Sequence, residues 1–180
     1  VYGESLGAHG TEAAFGGLDE LLSDVDGALL AGPPHSNPIW REVTGQRDAG
    51  SPIWQPTYNG GGAVRFGQHA PDLSTGAGSP RLVYLQNASD PIVWWSPELL
   101  YREPEWLDGA RGPDVSGAMR WFPVVTFWQV TVDLITSTSA PDGHGHSYHG
   151  SIADGWAALV APPGWTDADT DRVRASLPAE

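Results

Sequence analysis

The chain begins Val1-Tyr2-Gly3-Glu4-Ser5-Leu6-Gly7, and the reading of these residues decides the fold. Two apolar residues close a strand, a Gly-x-Ser-x-Gly pentapeptide turns the chain, and the small-residue run "LGAHGTEAAFGGLDELL" reads as a helix lying close to a sheet. At such a strand–turn–helix junction the serine takes a strained backbone, and glycines two residues to either side keep strand and helix from colliding. Ser5 would then present its hydroxyl at the positive end of the helix. The pattern alone is weak evidence, since 23 Gly and 14 Ser in 180 residues predict about 0.2 chance occurrences. The strand before it and the helix after it carry the reading.

Further strands follow at "GALLAGPP", stopped by two prolines, at "AVRFG", and at "RLVYLQNASDP", which places Asp90 just beyond a strand's carboxyl end. "HSNPIWREV" gives no clear pattern. Residues 44–80, rich in Gly, Pro, Asp and Asn, read as an elaborated excursion. In "SPELLYREPEWL" Ser96 is the expected N-cap of a helix, and a longer helix is expected from about Met119 to Ile135. Its core, "WFPVVTFWQVTVDLI", reads as a buried helix, because a bilayer span needs ~20 mostly apolar residues. The loop "SAPDGHGHSYHG", a helix at "SIADGWAALV" and a final helix "TDADTDRVRASL" capped by Thr166 complete the chain. The expectation is one globular α/β unit, a mostly parallel sheet flanked by helices.

Twenty-two acidic residues against nine Arg and no Lys leave a net charge of −13, which repels phosphate backbones and makes nucleic acid an improbable partner. The absence of Cys removes disulfides, thiolate metal sites and cysteine nucleophiles. The chain starts without an initiator Met or a signal-like segment, and reads as cut from something longer.

A serine hydroxyl needs a histidine base, itself oriented by a carboxylate, before it can attack a carbonyl near neutral pH. Asp90 and the downstream His146 follow Ser5 in the order serine, acid, base, unlike chymotrypsin-like or subtilisin-like chains. The N–H of Leu6 would donate to the oxyanion. His144 is the alternative base. Asp90 could instead be a simple turn residue before Pro91, and His144, His146 and His149 could instead ligate a metal, although no H-E-x-x-H helix accompanies them. His9, His35 and His69 read as structural or surface residues, and Glu4 as a structural carboxylate. Trp94, Trp95, Trp106, Trp121, Phe122, Phe127 and Trp128 read first as core, with some able to line an apolar acyl pocket near Asp90.

The strings "YGESLGA.GTEAAF", "DGALLAGPP.SNPIWRE", "VYLQNASDPIVWWSPELL", "GPDVSGAMRWFPVVTFWQVTVDL" and "GHGHSYHG…WAAL" together resemble a bacterial α/β-hydrolase family with a membrane-spanning N-terminal domain, over Val1 to about Leu177. The resemblance implies a cofactor-free serine hydrolase of ester-type, including lipid, substrates, with Ser5 as nucleophile, Asp90 as acid and a histidine of the "GHGH" loop as base. It also implies a membrane-associated parent protein, of which this soluble stretch is the C-terminal part of the catalytic domain. On that expectation the earlier strands and the loop with the second oxyanion donor lie outside residues 1–180, and the stretch alone is poorly active.

Overall fold

A computed structural model describes residues 1–177. Among them, four parallel strands, β1 (Tyr2–Glu4), β2 (Ala28–Ala31), β3 (Val64–Gly67) and β4 (Leu82–Leu85), form a sheet in the order β1-β2-β4-β3. The helices are α1 (Leu6–Ala13), α2 (Leu18–Asp24), α3 (Pro38–Gly45), α4 (Ala70–Leu73), α5 (Pro91–Trp94), α6 (Val125–Thr136), α7 (His149–Val160) and α8 (Asp167–Ser176). The expected parallel sheet flanked by helices is present.

Alternation along the strands builds two cores. Leu30, Val64, Phe66, Leu82 and Tyr84 face Leu18 and Leu21 of α2 and Ile39, Trp40 and Val43 of α3. Leu29, Ala31, Val83 and Leu85 face Tyr148 and the α7 residues Ile152, Trp156 and Leu159. Every residue of β2, β3 and β4 is buried, as parallel strands covered on both faces require. The register aligns Glu4 with Ala31, Ala31 with Leu85, and Leu85 with Gly67. The segments leaving β1, β2 and β4 therefore emerge along one edge, where ligands collect in open α/β sheets. β1 forms a side of the sheet, next to β2.

Several expectations need correction. The run after Ser5 is two helices, because Gly16 and Gly17 interrupt it and Gly17 caps α2. "HSNPIWREV" holds α3, begun by Asn37 with Pro38 at its first position, where a missing N–H costs nothing. "SPELL" forms only a 3-10 turn at Pro97–Leu100, and the Ser96 side chain caps nothing. α7 and α8 form as expected, and Asp169 accepts the Thr166 N–H (2.8 Å) in a capping box.

The largest difference concerns α6. It begins at Val125, not near Met119, because Pro123 has no N–H and Val124 takes φ 66°. Of its residues only Thr126 and Val130 are buried, while Trp128 is 58% and Ile135 81% exposed. A segment apolar on all sides has no periodicity to reveal its buried face. The helix leans on α5 and the Pro97–Leu100 turn through one narrow seam. No helix among the described residues is long and apolar enough to cross a membrane.

Candidate active site

Ser5 takes φ 54° and ψ −120° between β1 and α1, a backbone region that costs a non-glycine residue about 1–3 kcal/mol. Two bonds hold it there. Its N–H donates to Ala31 O (2.9 Å), extending the β1–β2 ladder, and its carbonyl accepts the His9 N–H (3.2 Å), starting α1. A Cβ on Gly3 would lie 2.5 Å from the Gly7 carbonyl oxygen, so only glycine lets the strand pass this close to the helix. At Gly7 a Cβ would meet nothing within 4 Å, which corrects the expectation that both glycines prevent collision. Leu6 opens α1, in the first turn, whose N–H groups have no acceptor within the helix.

The helix behind Ser5 is anchored by Glu12. Its buried carboxylate accepts N–H bonds from Ile39 (2.8 Å) and Trp40 (3.2 Å) at the start of α3, and the Tyr84 hydroxyl of β4 (2.8 Å). Burial raises its pKa, against the lowering effect of these bonds.

Asp90 follows β4 and is fully buried. Its Oδ1 accepts the Ile92 N–H (2.8 Å), capping α5. Its Oδ2 accepts two donors, Nδ1–H of His146 (2.7 Å) and the hydroxyl of Tyr148 (2.6 Å). A carboxylate partner at Nδ1 places the proton of the neutral imidazole there, so Nε2 carries the lone pair. The His146 ring meets Tyr148 edge-on, centroids 5.5 Å apart at 88°, and the backbone N–H of His146 donates to Ser137 O (2.9 Å).

The loop carrying this histidine is tied to the β4 exit. The Asn87 side-chain amide donates to Gly145 O (3.0 Å) and Ser147 O (3.1 Å), and its backbone N–H to the Tyr148 hydroxyl (3.1 Å). Ser89 Oγ accepts the Gly145 N–H (2.9 Å) and donates to Asp114 (2.5 Å).

Gly32 joins the two halves. It follows Ala31, whose carbonyl holds Ser5, and has φ 54°. A Cβ there would sit 2.3 Å from Cε1 of His146 and 2.8 Å from Cε2 of Tyr148. The imidazole thus lies directly against the backbone beside the serine turn. Electrostatics agree with this convergence: the Tyr148 hydroxyl is pushed well above the usual tyrosine range by burial first, then by Asp90, with Glu4 adding in the same direction.

The expected residues Ser5, Asp90 and His146 thus gather at one end of the sheet. His144 does not join them; it is exposed, with Nδ1 3.3 Å from the carbonyl of Asp142. His149 opens α7, and among the described residues no group of three or more His, Asp or Glu is arranged to hold a metal ion. His9 bonds Asn37 (2.9 Å), His35 packs edge-on to Trp95, and His69 caps α4. Glu4 accepts the Tyr2 hydroxyl (2.7 Å). Of the aromatic cluster, Trp94 and Trp106 are buried while Phe122 and Trp128 are exposed. Trp94 and Trp106 line a pocket of ≈ 130 Å³ whose wall includes Ser89 and Pro91, the neighbours of Asp90. Gly32, Asn87, Ser89 and Asp114 carried no signal in the sequence, because each acts through a partner distant along the chain.

The family model described as the alpha/beta-hydrolase family matches residues 1–173. No curated protein and no solved structure matches the chain. A match over nearly the whole length, on a parallel sheet with this strand–turn–helix at its edge, places the chain in the alpha/beta-hydrolase family.

Proposed function

We propose that the protein is a serine hydrolase that transfers the acyl group of an ester-type substrate, lipid esters included, to water. Ser5 is the nucleophile, His146 the base and Asp90 the carboxylate that orients it. The observation carrying this reading is the strained Ser5 backbone bonded to Ala31, directly beside the Gly32 backbone on which the Asp90-paired imidazole lies.

Ser5 Oγ attacks the carbonyl carbon as its proton passes to Nε2 of His146, and Asp90 stabilises the imidazolium. The Leu6 N–H and the amino end of α1 stabilise the oxyanion. Collapse breaks the ester C–O bond, the alcohol leaves with the proton from Nε2, and water repeats the sequence to release the acid. The pocket walled by Trp94 and Trp106 is small and mixed, with Val115, Met119 and Val130 beside the carboxylates Asp114 and Asp133, and its size suits a short acyl group. The resemblance adds a membrane-spanning domain in the parent protein, which would bring the site to lipid substrates.

A fluorophosphonate probe tests the reading. Labelling is expected at Ser5 and abolished in Ser5→Ala, with chelators leaving it unchanged. A second reading, a non-catalytic membrane-associated scaffold that keeps the hydrolase fold, is favoured by the exposed apolar residues of α6, Trp128, Val132 and Ile135. A folded parent protein in which Ser5 never reacts would support the scaffold.

A further inference from the structure

We infer that Tyr148 is a positioning residue for the proposed reaction: its hydroxyl, sharing Oδ2 of Asp90 with His146, holds that carboxylate aimed at the imidazole and competes with the imidazole for its charge. The inference rests on the serine-hydrolase reading. Tyr148 is 1% exposed, and its oxygen both donates to Asp90 (2.6 Å) and accepts the Asn87 N–H (3.1 Å). A phenol has one proton to give. The Asn87 N–H can only donate to that oxygen, so the phenol proton points at Asp90.

A buried carboxylate is costly unless hydrogen bonds satisfy it. Asp90 has three donors, Ile92 N–H, His146 Nδ1–H and Tyr148 O–H. Donors on one carboxylate oxygen share its negative charge, so each added donor leaves less of it for the others. The hydroxyl therefore weakens the pull of Asp90 on the imidazolium proton and lets His146 become a neutral base at lower pH. The phenol stays protonated, since burial, Asp90 and Glu4 all disfavour its anion. The strand side chains packed on its ring, among them Leu29, Ala31, Val83 and Leu85, are apolar. Asp90 and Glu4 are the ionisable groups acting on the hydroxyl, and His146 is the one it acts upon.

Tyr148→Phe keeps the ring and removes the hydroxyl. In the intact chain, the His146 resonance, identified by its loss in His146→Gln, should titrate at higher pH in Tyr148→Phe than in wild type. The acid limb of fluorophosphonate labelling should move the same way, slowing labelling below that limb about tenfold. 3-Fluorotyrosine at position 148, a stronger donor, should move both to lower pH, and keeps the test available if Tyr148→Phe does not fold. Superimposed His146 titration curves overturn the inference. So does a loss of labelling that is equal at every pH. Absence of labelling at Ser5 in the folded parent protein instead defeats the serine-hydrolase reading, while the titration still measures the grip of the hydroxyl on Asp90.

Discussion

The two halves of the site are built on different scales. The serine half is local: the Gly3–Gly7 approach, the strained Ser5 and the first bond of α1 all lie between Tyr2 and His9. The half proposed for acid and base is assembled from distant pieces. Asp90 and His146 are 56 residues apart, and the loop of His146 is held by Asn87, Ser89 and, through Ser89, Asp114. A geometry made by adjacent residues depends on backbone sterics. One made across the chain depends on a hydrogen-bond network.

Gly32 is where the halves meet, and its substitution should have the largest effect. Gly32→Ala adds a Cβ at φ 54° within 2.3 Å of the His146 ring. Displacing a base by about 1 Å slows a reaction by about 10²-fold, so labelling of Ser5 should fall at least that far while circular dichroism stays native. Undiminished labelling would break the link drawn between the halves.

Within the serine half, the two glycines should differ in sign. Gly3→Ala forces a Cβ into backbone atoms of the facing helix and should destabilise by about 2–3 kcal/mol in urea unfolding. Gly7→Ala meets open space inside α1 and should be neutral, or stabilising by up to about 1 kcal/mol. Equal destabilisation by both would mean that the junction does not depend on close approach at Gly3.

The smallest effect concerns Glu12, the buried anchor of the serine half. Its folded-state pKa lies above the ordinary 4.5, so the native state binds this proton more tightly than the unfolded chain does. Its contribution to stability is full below about pH 4.5 and is lost as pH rises through the folded-state value. Glu12→Gln, whose amide oxygen can still accept the Ile39 and Trp40 N–H groups, should flatten that slope in melting temperatures measured from pH 4.5 to 7. An unchanged slope would assign the effect to another group.

Legibility in the sequence followed the same divide. β2, β3 and β4 could be read from apolar runs bounded by turn residues, and Ser5 from a pentapeptide whose parts touch one another. His146 and His144 could not be separated by spacing, since both lie in one Gly-rich loop. The difference arises because Asn87 and Tyr148 fix the loop so that one ring meets Asp90 and the other faces solvent. The exposure of α6 is hidden for a related reason: its composition is apolar, but burial depends on what lies beside it.

By itself, then, the amino-acid sequence determined the strand–turn–helix at Ser5, the α/β class and the order of the candidate residues. These follow from steric and hydrophobic patterns a few residues long. Only the tertiary structure decided which imidazole pairs with the carboxylate, that Gly32 must leave room for it, and that one face of α6 stays uncovered. Each of those depends on atoms brought together by sheet register and loop packing, and neighbours in space leave no mark in a linear chain.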